Sequence, residues 1–183
     1  HAVFVGLELI REKMRENKMS FGEAWQKVKS QVVFTTHTPV EAGNEVHDHG
    51  LLQYMEAYNG LSYEEMCQLG GDPFNMTAAA LRISQKANAV SKLHGHTARK
   101  MWRNIKLSSP IISITNGVHE KTWQDQRIKK VFDQGGDLWE VHIQCKKELF
   151  AYIEEKTGQK LDPDILTVGF ARRTASYKRS DLI

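Results

Sequence analysis

Apolar side chains recur near the start of the chain at helical spacing: Val3, Val5, Leu7, Leu9, Ile10 and Met14 fall on one rough stripe over residues 2–15. A second helix is predicted from "SFGEAW", where Ser20 and Glu23 have the spacing of a capping box. "QVVFTT" then changes the rhythm to a β-branched run, a strand ending at about His37, and "HTPVEAGN" stops it with Pro39, Gly43 and Asn44 in a long turn. Further helices are predicted at about 45–57, at 63–69 behind a second box of Ser62 and Glu65, and at 76–85 after the loop "GGDPFN". Residues 87–91, "ANAVS", fit either a short buried strand or a helix end. "HGHTARKMW" reads as helix, "PIISITNG" as strand and turn, and "DLWEVHIQCKKELFAYIEEKTG" as a long helix stopped by Gly158. "ILTVGF" is expected to be a buried strand leading into a basic loop.

Strands separated by helices predict a helix-rich α/β architecture with parallel pairing. At 183 residues, 40% apolar and 26% charged, the chain has the composition of a soluble globular protein and no apolar run of membrane-spanning length. The N-terminal stretch lacks the layout of a signal peptide, and Cys67 and Cys145 have no CxxC spacing, so a reducing cytoplasm is the expected setting. Net charge is +3, and it is local: Arg172, Arg173, Lys178 and Arg179 face Asp181 alone in the last twelve residues, while the remainder is neutral. A general polyanion binder spreads its cations over a face, so this concentration suits a small anion rather than nucleic acid.

The basic loop follows a predicted strand, which is where open α/β sheets hold ligands. Arginine forks and a lysine point charge suit a dianion, although a solvated charged end explains the same residues. Eight histidines include "HDHG" and "HGH", whose HxH spacing suits a metal, but no carboxylate or cysteine completes either pair at a recognisable spacing. His37 and Asn116 each sit where a strand meets a turn, a position shared by ordinary turn chemistry and by donors to polar ligands.

Three stretches in order, "FTTHTPVEAGNEV", "ITNGVHEKTW" and "VGFARRTASYKRSDLI", closely resemble the α-glucan (glycogen and maltodextrin) phosphorylases, most of all the shorter bacterial type. The resemblance implies a glycosyltransferase fold of two Rossmann-like domains facing across a cleft, with pyridoxal phosphate in the second. It also implies the reaction: phosphorolysis of the terminal α-1,4 linkage to glucose 1-phosphate, with α-1,4-glucan and inorganic phosphate as the partners. By the same resemblance Arg173 and Lys178 hold the substrate phosphate, and with His37 they form the catalytic group. Arg172 and Trp123 are implied to bind the cofactor, Arg172 standing where animal enzymes have lysine. His1, Asn116 and Tyr177 are implied to line the sugar site, with His37 and Asn116 at the 6-hydroxyl.

The glycine-rich motif that carries the family's cofactor lysine is not in this sequence. The chain is therefore expected to be an internal piece, with roughly 1–113 from the first domain and 114–183 opening the second, and to be catalytically silent by itself. Cut edges of that kind are expected to promote self-association as a homo-oligomer. The alternative is a non-catalytic fragment or interaction module that keeps the fold without the cofactor. Neither a membrane nor a nucleic acid is expected as a partner.

Overall fold

A computed structural model describes residues 2–38 and 40–182. The chain divides into two compact units, one ending at Asn116 and the other beginning at Gly117.

In the first unit, helices α1 (Ala2–Asn17) and α2 (Phe21–Lys29) form where the apolar stripe and the Ser20–Glu23 capping box predict them. The Ser20 hydroxyl accepts from the Glu23 amide while the Glu23 carboxylate accepts from the Ser20 amide, satisfying two N–H groups a helix start would otherwise leave unpaired. Strand β1 (Val33–Thr36) follows. The region predicted as one helix over 45–57 is instead a short strand β2 (Val46–His47) and a helix α3 (His49–Tyr54). Asp48 separates them by capping: its side chain accepts from the amides of Gly50 and Leu51, so the helix starts there and not earlier. Helix α4 (Tyr63–Gly70) begins at the predicted Ser62–Glu65 box, strand β3 (Phe74–Asn75) pairs antiparallel with β2, and α5 (Met76–Ile83) is capped by Asn75. The ambiguous "ANAVS" segment resolves as strand, β4 (Lys86–Ala89), followed by α6 (Lys92–Met101) and β5 (Ile111–Ser113).

The three longer strands make a parallel sheet in the order β1-β4-β5, with Phe34 opposite Ala87 and Ala87 opposite Ile111. Two apolar clusters hold the unit. Leu7, Ile10, Val28, Met66, Leu69 and Phe74 gather under α1, α2, α4 and α5, while Leu81, Ala87, Ala89, Ala98 and Ile111 line the sheet under α6. Gly70 is required at its position, because a Cβ there would lie 2.3 Å from the Phe74 ring.

In the second unit, α7 (Glu120–Trp123), α8 (Gln126–Asp133) and α9 (Leu138–Thr157) account for the described helices of more than one turn. Gly158 ends α9 in the left-handed region at φ 73°, as predicted. The expected strand "ILTVGF" does not form. A strand needs a neighbour for its ladder, no strand is present among the described residues of this unit, and Leu166 stands 87% exposed. Among the described residues no helix is long and apolar enough to cross a membrane.

Candidate functional site

Because β1, β4 and β5 run parallel, their carboxyl ends share one edge of the sheet. Three turns leave that edge: 37–38 after β1, 90–91 after β4, and 114–116 after β5. Open parallel sheets use this edge for ligands because successive strands and turns leave a crevice there. A cavity of about 410 Å³ opens beside β1, lined by Ala2 and Val5 of α1, by Thr36, His37 and Asn44, and by Ser84 after α5. Its walls are largely aliphatic with a few hydroxyl, amide and imidazole groups, the make-up of a small-molecule pocket.

His37 is exposed at the end of β1, and Asn116 is exposed at the end of β5, its backbone N–H donating to the Val90 carbonyl at 3.1 Å. The two sequence-predicted residues thus come to the same edge of one sheet. The turn after His37 is tied down further along, where the Asn44 amide donates to the carbonyls of Val40 and Glu41 at 3.2 Å and Thr77 donates to Asn44 Oδ1 at 2.9 Å. His1 and Pro39 lie outside the described residues.

The other predicted residues belong to the second unit. Tyr177 and Lys178 meet in a single 3-10 turn, Ser176–Lys178, with the Lys178 ammonium 4.8 Å from the centre of the Tyr177 ring, a cation–π contact. Arg172 and Arg173 are exposed in irregular backbone ahead of that turn, and among the described residues no carboxylate forms an ion pair with either. Trp123 closes α7 and is 79% exposed. The unit's strong ion pairs lie elsewhere: Arg127 reaches Asp125 at 2.8 Å and Glu148 at 2.6 Å. Hydrogen bonds from Arg127 hold both carboxyls below their usual range, and Arg127 is raised in return.

The two HxH motifs separate into a buried and a more accessible histidine each. His49 is buried, bonded to the Tyr58 hydroxyl at 2.7 Å and the Gly71 carbonyl at 2.8 Å, while His47 approaches Glu45 at 3.4 Å. His94 is buried between two backbone groups, and His96 is exposed. Among the described residues no cluster of three or more metal-ligating side chains exists, and alternate spacing on a helix or across a strand end explains why each pair diverges. Sequence reasoning weighed "HGH" only as a metal pair and so missed His94; burial of one histidine beside a strand end has no sequence signature short of the fold itself.

No family model matches the chain. The maltodextrin phosphorylase of Thermococcus litoralis is 34% identical over all of the chain and 27% of its own length. The match runs over 230 aligned positions against 183 residues here, so that relative carries extra residues within the matched span. The glycogen phosphorylase of Mycobacterium tuberculosis is 32% identical over all of the chain and 28% of its own length. An uncharacterised protein of Methanocaldococcus jannaschii is 39% identical over 85% of the chain and 30% of its own length. The chain thus spans less than a third of the length of each of these relatives.

Proposed function

The chain belongs to the α-glucan phosphorylase family, and from that premise we propose that it is a segment of an enzyme that cleaves terminal α-1,4 linkages of a glucan with inorganic phosphate. In this reading residues 1–113 come from the glucan-side domain and 114–183 open the phosphate side, and the segment alone is silent.

The transferred glucosyl group passes through an oxocarbenium-like state as its C1–O bond to the glucan breaks and a new C1–O bond to phosphate forms, the proton given up by the phosphate ending on the departing glucan oxygen. Positive charge is needed on the phosphate and neutral hydrogen-bonding groups on the sugar. Arg173 and Lys178 supply the charge, Arg173 through a fork that grips two oxygens and Lys178 as a compact ammonium. His37 and Asn116 supply the neutral contacts at the 6-hydroxyl, and Tyr177 and His1 add sugar contacts. The observation that carries the reading is that His37 and Asn116, far apart in sequence, follow β1 and β5 at one end of the same sheet, with His37 also lining the cavity.

The residues implied for pyridoxal phosphate fit its chemistry. Arg172 is an exposed cation suited to a phosphate, and Trp123 offers an exposed aromatic surface suited to a pyridine ring. When bound, the cofactor supplies a second phosphate group to the reaction; its attachment lysine is not in this chain. Arg172 balances the charge of that group, and Trp123 limits water beside it.

The test is kcat/KM for phosphate at saturating maltodextrin in the full-length protein, for Arg173→Ala, Lys178→Ala and Arg179→Ala. Losing one charge-assisted contact lowers it about ten- to a hundredfold for Arg173→Ala and Lys178→Ala. Arg179→Ala stays near wild type. Equal, small losses in all three would make the basic loop a solvated surface and end the reading.

A further inference from the structure

Taking His37 and Asn116 as the sugar-holding groups, a premise that rests on the reading above, we propose that His94 is the positioning residue that fixes their separation. His94 sits in the first turn of α6, where its backbone N–H donates to the Ser91 side chain at 3.1 Å, and it is only 9% exposed. Its Nδ1 faces the Val90 backbone N–H at 3.3 Å. A backbone amide only donates, so Nδ1 is the bare nitrogen, and the neutral ring carries its proton on Nε2. That Nε2–H donates to the Thr38 carbonyl at 3.2 Å.

Thr38 is the residue after His37, and the Val90 carbonyl accepts from the Asn116 amide at 3.1 Å. One ring in one tautomer therefore closes a run of hydrogen bonds from the backbone beside His37, through α6, to the backbone of Asn116. Both ring nitrogens are spent on this link, so His94 acts through its neighbours and does not itself reach the sugar. Close packing keeps the link short: a Cβ on Gly95 would fall 1.9 Å from Ser113 Oγ, so α6 lies directly against β5, and Arg99 bonds the Ile111 carbonyl at 3.0 Å from the same helix. The Asn44 bonds hold the far end of the His37 turn, which leaves His94 as the anchor of its near end.

Two substitutions cut the run on opposite sides. In His94→Asn the amide oxygen replaces Nδ1 and keeps Val90, but nothing reaches Thr38. In His94→Gln the longer amide keeps the donor to Thr38 and loses the acceptor for Val90. In the full-length protein each raises KM for maltodextrin roughly tenfold with little change in kcat, as expected of one buried hydrogen bond left unmade. The decisive reading is coupling: His94→Asn adds less than about twofold in a His37→Ala background, and His94→Gln adds less than about twofold in an Asn116→Ala background. His96→Ala, on the same helix and exposed, leaves KM unchanged. Fully additive losses in both cycles, or equal coupling of each variant to both partners, would overturn the proposal. If His37→Ala and Asn116→Ala leave KM untouched, it is the sugar-site reading that has failed. His94 is then judged on this chain by nitrogen-15 NMR, which must find Nε2 protonated, Nδ1 bare, and the His37 amide resonance moved in His94→Asn. A protonated Nδ1 in the wild-type chain overturns the proposal even where a variant does not fold.

Discussion

The unit ending at Asn116 keeps Leu7, Ile10, Met66, Leu69 and Phe74 wholly out of water, whereas the described hydrophobics buried in the unit beginning at Gly117 are Val141 and Phe150. Both carry helices with good caps: Ser20, Ser62 and Asn75 in the first, Asp125 and Asp137 in the second. The difference lies in what the helices cover. In the first unit a parallel sheet and a helix layer bury one another, while in the second α8 and α9 are joined at the surface by Arg127. Helix caps and local patterning act over a few residues, but a strand exists only when another strand meets it.

The sharpest way to break this comparison is to empty each unit at one position. Phe74→Ala removes a fully buried ring and is expected to cost about 3–5 kcal/mol, while Leu166→Ala, at 87% exposure, stays within about 0.5 kcal/mol. Urea unfolding followed by circular dichroism checks both; a large loss at Leu166 would mean that the "ILTVGF" segment is packed after all. A smaller effect is expected from Gly95→Ala, where a methyl group overlapping Ser113 costs about 1–3 kcal/mol. Adding Ser113→Gly should recover most of that loss, and failure to recover it would shift the blame to some other contact of α6.

The smallest effect concerns acid. Asp125 and Glu148 have lowered values in the folded unit, so their contribution is present above the ordinary carboxylate range and is lost as pH falls below it; Arg127 stays charged throughout. Protection factors of the α8 and α9 amides, taken relative to intrinsic exchange at each pH, should therefore fall below about pH 4 and in high salt, since exposed pairs are screened, with those of the sheet amides of the first unit unchanged. Equal loss of protection in both units would remove the contrast.

Much of the first unit was legible because its signals are local: two capping boxes, a helical stripe and the β-branched run before His37 all produced the elements they predict. The pattern spreads one helix over 45–57 because it passes over the cap at Asp48, where α3 begins. "ILTVGF" reads as a strand from β-branched and apolar content, which reports fitness for a sheet and not the presence of a partner. At the candidate site, His37 and Asn116 were legible as strand-end residues and the basic loop as a charge cluster. The hydrogen bonds of His94 are not, because they tie α6 to the two turns after β1 and β4, which only the sheet order brings together.

The pairing of β1 with β4 has a consequence for how quickly this edge comes into being. Thr35 bonds Asn88 across a sequence separation of 53, so the loop between them must close before the ladder returns any stabilisation. The helix pair α8 and α9 joins neighbours in sequence and is free of that delay. Long-range parallel pairing slows folding, so the turns that carry His37 and Asn116 should be among the last parts of the first unit to acquire protected amides, well after α1 and α2. Pulse-labelled hydrogen exchange during refolding would read that order directly: early protection at Phe34 and Ala87 would mean that the strands find each other before the helices beneath them have formed.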